Sequence, residues 1–137
     1  METMTMNVAE KNAVLVRKGY EAFNNGDMKT LTELFNPNAT WHSPGKSRIA
    51  GDYKGREAVF GQFGRYGGET NGTFKAILKD LAICQDGHVV GIQRATAERN
   101  GKKLDVDCCI VFELKDGLFV DGKEYIYDLN AWDAFWS

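Results

Sequence analysis

Apolar residues recur every three or four positions in the first half of the chain and every two positions in the second half. Ala9, Ala13, Val16, Tyr20 and Phe23 form one helical stripe. Asn7 stands where it can cap that helix, with Glu10 at the offset that bonds back. Asn24-Asn25-Gly26 stops it, because Gly26 accepts the left-handed conformation. Asp27 caps a second, short helix carrying Met28, Leu31, Leu34 and Phe35, which Pro37 ends. Residues 39–43 read as a short strand turned by Pro44-Gly45, and residues 46–54 as a polar loop or hairpin. A third helix starts near Gly55-Arg56, turns Val59, Phe60 and Phe63 inward, and closes at Gly67-Gly68 and Gly72.

Four alternating runs follow, at 73–84, 88–99, 103–114 and 118–128. Asp86-Gly87, Asn100-Gly101 and Asp116-Gly117 separate them. Such pairs favour tight hairpins because both residues accept positive φ. The pattern therefore predicts an antiparallel meander with one face under the helices. The tail 130–137, with Trp132, Phe135 and Trp136, is expected to dock on the body or to lid it. The expected fold is α+β: a cone-shaped, curved antiparallel sheet wrapped by three N-terminal helices around an apolar pocket. A long twisted sheet curls, and a curled sheet closed by helices encloses space for a small ligand. Residues 7–137 form the single expected domain, and residues 1–6 are expected to be disordered.

Composition narrows the partners. With 137 residues, 43% hydrophobic and 26% charged, the chain suits one ordinary globular core. A net charge of −2 and the absence of a basic run argue against nucleic acid. No apolar run is long enough for a membrane span, and the N-terminal residues lack the features of a signal peptide, which predicts a cytoplasmic protein. The three cysteines, Cys84, Cys108 and Cys109, read as reduced packing residues. His88 reads as a turn residue, and two histidines without a spaced carboxylate cluster predict no metal or other cofactor.

Several short words in this order carry a resemblance. They are Gly26-Asp27, Asn38-Ala39-Thr40-Trp41-His42-Ser43-Pro44-Gly45 and Gly51-Asp52-Tyr53-Lys54-Gly55-Arg56-Glu57-Ala58-Val59. Later come Arg94-Ala95-Thr96-Ala97, Lys115-Asp116-Gly117, Asp128 and Ala131-Trp132-Asp133-Ala134-Phe135-Trp136. Together they resemble the SnoaL-like, ketosteroid-isomerase-related branch of the nuclear-transport-factor-two-like superfamily. The resemblance implies the cone fold. It does not imply one reaction, since that superfamily holds isomerases, cyclases, hydrolases, dehydratases and non-catalytic binders.

Two known chemistries of the superfamily do not fit. The ketosteroid isomerase base falls on Ser43, its donor tyrosine on Gly19 beside Tyr20, and its donor aspartate near Cys108 or Cys109. At the limonene epoxide hydrolase positions Arg94 is kept, but Thr96 replaces an aspartate, and Tyr125 and His42 fall near two others. In SnoaL-type cyclases a pocket residue moves a proton beside a carbonyl, and His42 is the natural candidate here. Arg94 would then stabilise an enolate or bind a carboxylate, with Asp128 or Tyr125 orienting the imidazole. Trp41, Tyr20, Phe60, Phe63, Cys108 and Tyr125 are the expected ligand-binding residues.

Plainer readings stand beside these. His42 could be a core-edge histidine, and Arg94 could pair with Glu113, Asp107 or Glu98. Asp105 and Asp107 alternate with Leu104, Val106, Cys108, Ile110 and Phe112, so they face away from the core. Cys109 and Val111 share that outer face, which makes a homodimer through the sheet plausible. The expected function is binding of a small apolar molecule, with proton-transfer catalysis as the enzymatic reading. A non-catalytic binder or a dimeric interaction module is the alternative.

Overall fold

The structure is a computed structural model, and it describes residues 6–137. The expectation for residues 1–6 lies outside that range except at Met6. Two helices lead: α1 (Val8–Asn24) and α2 (Met28–Leu34). Asn7 caps α1 by accepting from the Glu10 amide, and Asp27 caps α2 by accepting from the Thr30 amide. Strands β1 (Phe35–Ser43) and β2 (Gly51–Lys54) precede α3 (Arg56–Gly68). Then come β3 (Lys75–Ile83), β4 (Val89–Arg99), β5 (Lys102–Lys115), β6 (Leu118–Ile126) and α4 (Leu129–Trp136). Among the described residues no helix is long and apolar enough to cross a membrane.

The six strands form one sheet in the order β2-β1-β6-β5-β4-β3. The meander from β3 to β6 is antiparallel, as the alternating runs require. Asn100 and Asp116 take φ of 50° and 53° and are followed by Gly101 and Gly117 at 76° and 78°. These are two-residue hairpins of the type that matches strand twist. At the third connection only Gly87 is left-handed, at φ 91°. There the Gly87 amide bonds the Cys84 carbonyl across a longer turn.

Three expectations need correction. The sheet is mixed, because β1 runs parallel to β6. Side-chain alternation fixes which face a residue occupies, but not which way a distant neighbour runs. The second helix ends at Leu34 and not at Pro37, and Phe35 already belongs to β1. The tail is a fourth helix, capped by Asp128 accepting from the Ala131 amide at 3.0 Å.

The core fills the concave side of the sheet. On β5, Leu104, Val106, Cys108, Ile110 and Phe112 are buried, while Asp105 and Asp107 face out. Helix α4 closes one end of the core with Trp132, Phe135 and Trp136, each 2% exposed or less. The rings of Trp132 and Trp136 meet Tyr66 of α3 and Phe74, with Tyr66 stacked on Phe74 at 4.9 Å between centroids, and Phe135 packs on Trp136. Phe35, Trp41, Phe63, Phe112 and Phe119 meet largely edge to face in the middle of the cone, the arrangement that ring quadrupoles favour.

Candidate functional site

An apolar cavity runs between α1, α3 and the concave face of the sheet. Its volume is about 50 Å3, room for about three to five water-sized groups at roughly 10–15 Å3 each. Tyr20, Trp41 and Phe63 line it, together with Tyr66, Gln93 and Glu124.

Strand geometry decides which side chains reach it. Successive residues on a strand face opposite sides. On β1, Ala39, Trp41 and Ser43 are buried inward, which turns Thr40 and His42 to the outer face. On β6, Phe119 points inward, and strict alternation would send Asp121, Lys123 and Tyr125 after it. A bulge intervenes: Glu113 pairs with Asp121 and Leu114 with Phe119, leaving Val120 unpaired. The phase shifts by one, and Gly122 and Glu124 turn inward in their place.

Gly122 provides room for the indole of Trp41, its neighbour on β1. A Cβ there would stand 2.2 Å from Cζ3 of Trp41. Gly122→Val is therefore expected to lower stability by about 1–3 kcal/mol through overpacking. Urea unfolding measures the loss, and near-UV circular dichroism should report a displaced Trp41. A variant as stable as the parent would show that the indole has room elsewhere.

Among the described residues Glu124 is the only carboxylate lining the cavity. Its Oε1 accepts from Trp41 Nε1 at 2.9 Å, Ser43 Oγ at 2.9 Å and Tyr66 OH at 2.6 Å. None of these bonds falls on Oε2. Gln62 supports the cluster from α3: its Nε2 lies 3.0 Å from Ser43 Oγ, 3.3 Å from Tyr66 OH and 2.9 Å from the Ile49 carbonyl, with two protons shared among the three acceptors. The Ser43 and Tyr66 hydroxyl protons point at Glu124. Burial pushes the Glu124 carboxyl above its ordinary value, although bonds from Tyr66, Trp41 and Ser43 partly oppose the shift. Burial likewise keeps Tyr66 protonated.

A second polar pair lines the cavity. Tyr20 OH donates to Gln93 Oε1, and Gln93 Nε2 lies 3.1 Å from Cys108 Sγ. Burial raises Tyr20 and pushes the Cys108 thiol up to about 12, so Cys108 is an inert packing thiol behind Gln93.

The other sequence-derived candidates lie elsewhere. His42 is on the outer face, with Nδ1 2.6 Å from Asp52 and Nε2 2.7 Å from Asp121. It does not line the cavity, because Trp41 beside it does. Arg94 is also on the outer face, with Nε 2.5 Å from Asp105 and Nη1 2.8 Å from Asp107. Asp107 was one of its expected partners. Asp128 is spent as the α4 cap, and Tyr125 is 54% exposed on the outer face. Phe60 packs behind the lining against Phe35 and Phe63. Among the described residues no three His, Cys, Asp or Glu side chains gather as a metal-ligand group.

His42 has a measurable role in that outer setting. Carboxylates only accept, so both ring nitrogens must carry protons to bond Asp52 and Asp121. Partial burial lowers its pKa, but the bonds to Asp52 and Asp121 outweigh that and hold it above the ordinary value. A raised folded pKa gives stability that is complete below the unfolded value near ~6.5 and is lost as pH rises through the folded value. The stability excess of the parent over His42→Gln should therefore shrink between pH 5.5 and pH 9. An excess that does not change with pH would rule out the cationic staple.

The sequence reading missed Glu124, Gln93, Tyr66 and Gln62. For Gln93 the signal was present, since it alternates in phase with Val89, Gly91, Ala95 and Ala97 while Arg94 is out of phase. Tyr66 and Gln62 continue the stripe of Val59 and Phe63 on α3. Glu124 had no such signal, because the bulge that turns it inward is not written in the alternation.

Comparison with known proteins agrees with this fold. The model of the SnoaL-like domain matches residues 16–122. An uncharacterized protein of Mycobacterium tuberculosis (strain ATCC 25618 / H37Rv) is 32% identical over 123 residues, covering 90% of this chain and 94% of that protein. The structure of Bal32a, from a soil-derived mobile gene cassette, superposes with a TM-score of 0.94 at 68% identity, over 96% of this chain and 100% of that one. A SnoaL-like polyketide cyclase, so described provisionally, from Jannaschia sp. CCS1 shares the fold at 15% identity, with a TM-score of 0.77 and 99% of both chains covered. The chain belongs to the SnoaL-like domain family.

Proposed function

We propose that this protein binds a slim, largely apolar carbonyl compound in the cone and moves a proton on it, with Glu124 as the acid–base group. The reading is carried by the one-sided bonding of Glu124. Three donors hold Oε1, none of these bonds falls on Oε2, and Glu124 lines a largely apolar cavity. A carboxyl pushed up by burial exchanges protons more readily near neutral pH than an ordinary glutamate. The acid–base role expected of His42 thus passes to Glu124, and Arg94 and Asp128 have no part in it.

The test is solvent exchange. Acetone, small enough for the cavity, incubated with the protein in D2O should gain deuterium at its methyl carbons, followed by NMR, about 10²–10⁴-fold faster than with denatured protein. Acetone that binds without exchange would make the chain a non-catalytic binder. A ketone that neither binds nor exchanges would overturn both readings. The homodimer is part of the same proposal. Ile92, Cys109 and Tyr125 stand in one cross-strand row on the outer face, with Ile92 and Tyr125 about half exposed. Sedimentation equilibrium tests it, with Ile92→Lys expected to give the monomer.

A further inference from the structure

The cavity is closed on nearly every side. Among the described residues that line it, all are buried except Phe23, which is partly exposed. Phe23 stands in the last turn of α1 and bridges to Phe63 of α3, edge to face at 5.4 Å between centroids. It meets Phe74 in the same way at 5.9 Å. The lining thus reaches solvent at Phe23, on the seam between α1 and α3.

The two sides of that seam are built differently. On the α1 side the Asn24 side chain pairs with β3. Its Nδ2 donates to the Ala76 carbonyl at 2.8 Å, and its Oδ1 accepts from the Ala76 amide at 2.9 Å. The Asn24 carbonyl also accepts from Lys75 Nζ at 3.1 Å. The one glycine of α1 is explained by packing, since a Cβ on Gly19 would stand 2.9 Å from the Phe119 ring. This side is pinned.

The α3 side is not. Gly61, Gly64, Gly67 and Gly68 all fall within its 13 residues. A Cβ on any of them would meet no atom within 4 Å, and none has a positive φ. Neither packing nor backbone conformation therefore calls for glycine there. Each glycine inside a helix weakens it about twofold to fivefold relative to alanine, because glycine loses the most conformational freedom on folding. The helix also starts at Gly55, which has no side chain to cap it. Around the cavity α3 is the wall whose own structure opens most easily.

We infer that ligands enter the cavity between α1 and α3, past Phe23, and that α3 is the wall that gives way, by unwinding about Gly61 and Gly64. The movement carries Phe63 off Phe23 and Tyr66 off Glu124. The donor set on Glu124 is then complete only when the cavity is closed. This goes beyond the proposed function and holds equally for a catalyst and for a binder.

Xenon tests it, because xenon occupies apolar cavities without a polar partner, and xenon NMR of the full chain reads its entry and release. Gly61→Ala combined with Gly64→Ala should slow entry and release together by about fivefold to thirtyfold, with the dissociation constant within about twofold of the parent. Phe23→Ala, which removes the bridging ring, should speed both several-fold, and Phe23→Val replaces it if the alanine variant does not fold. In the parent, amides of α3 should exchange with deuterium about tenfold or more faster than those of β5, as local opening requires. Xenon rates unchanged by the two alanines would overturn α3 as the moving wall. Rates unchanged at position 23 would overturn the route. Equal protection of α3 and β5 would mean that only global unfolding opens the cavity, and the inference would fall. It would fall equally if the parent took up no xenon.

Discussion

Replacing Trp136 by alanine is expected to cost about 3–5 kcal/mol of stability, the range for truncating a large aromatic in a packed core. Trp136 is fully buried, and its ring lies 5.5 Å from Tyr66, 5.7 Å from Trp132 and 4.8 Å from Phe135 between centroids. Helix α4 has eight residues, too few to be stable alone in water. It stays folded because its three aromatic rings dock. Removing one leaves a cavity that the neighbouring rings cannot collapse to fill without disturbing Tyr66, a donor to Glu124. Denaturant unfolding followed by circular dichroism checks this, with Tyr127→Ala as control. Tyr127 is 89% exposed, and its loss should stay within about 0.5 kcal/mol. A loss below about 1 kcal/mol for Trp136→Ala would mean that α4 is not docked as described.

The aromatic tail shows how far the sequence reached. Trp132, Phe135 and Trp136 announced a docked segment, but eight residues do not by themselves distinguish a helix from an extended tail. The hairpin pairs Asn100-Gly101 and Asp116-Gly117 set two of the turns in the meander, because few other dipeptides accept two left-handed residues. Alternation along β5 placed its core and outer faces correctly. The same rule, applied to single neighbours, would have separated Trp41 from His42 and Gln93 from Arg94. In each pair only one member can face the cavity. The resemblance to known chemistries drew attention to His42 and Arg94, and strand geometry assigns the cavity to Trp41 and Gln93. Glu124 and Tyr125 differ in kind. Their facing depends on the bulge at Val120, whose two sides pair with β5, and no local pattern in β6 records it. The parallel pairing of β1 with β6 was hidden for a related reason. It joins segments about eighty positions apart with no turn between them to signal direction.

Glu124→Gln is expected to reduce proton transfer by about 10²–10⁴-fold, the usual contribution of a positioned acid–base group. The substitution is nearly isosteric. A glutamine Oε1 can still accept from Trp41, Ser43 and Tyr66, so the cluster should keep its shape while losing the exchangeable proton. Ligand affinity should change far less than the rate, and that split separates lost chemistry from a collapsed cavity. The same variant carries an independent signature in stability. The folded carboxyl lies above its unfolded value, chiefly because burial disfavours the charge. Such a group contributes stability that is complete below the unfolded pKa near ~4.3 and is lost as pH rises through the folded value. Glutamine bears no such loss. Relative to the parent, Glu124→Gln should therefore gain stability between pH 4 and pH 8, read as a denaturation midpoint that falls with pH more steeply in the parent. If the two midpoints move in parallel while exchange is lost, Glu124 titrates as an ordinary surface acid, and its reactivity would not come from burial. If the midpoints diverge and exchange persists, the buried acid is real but the proton moves through another group. Only loss of exchange together with diverging midpoints ties the chemistry to the carboxyl that β6 turns inward.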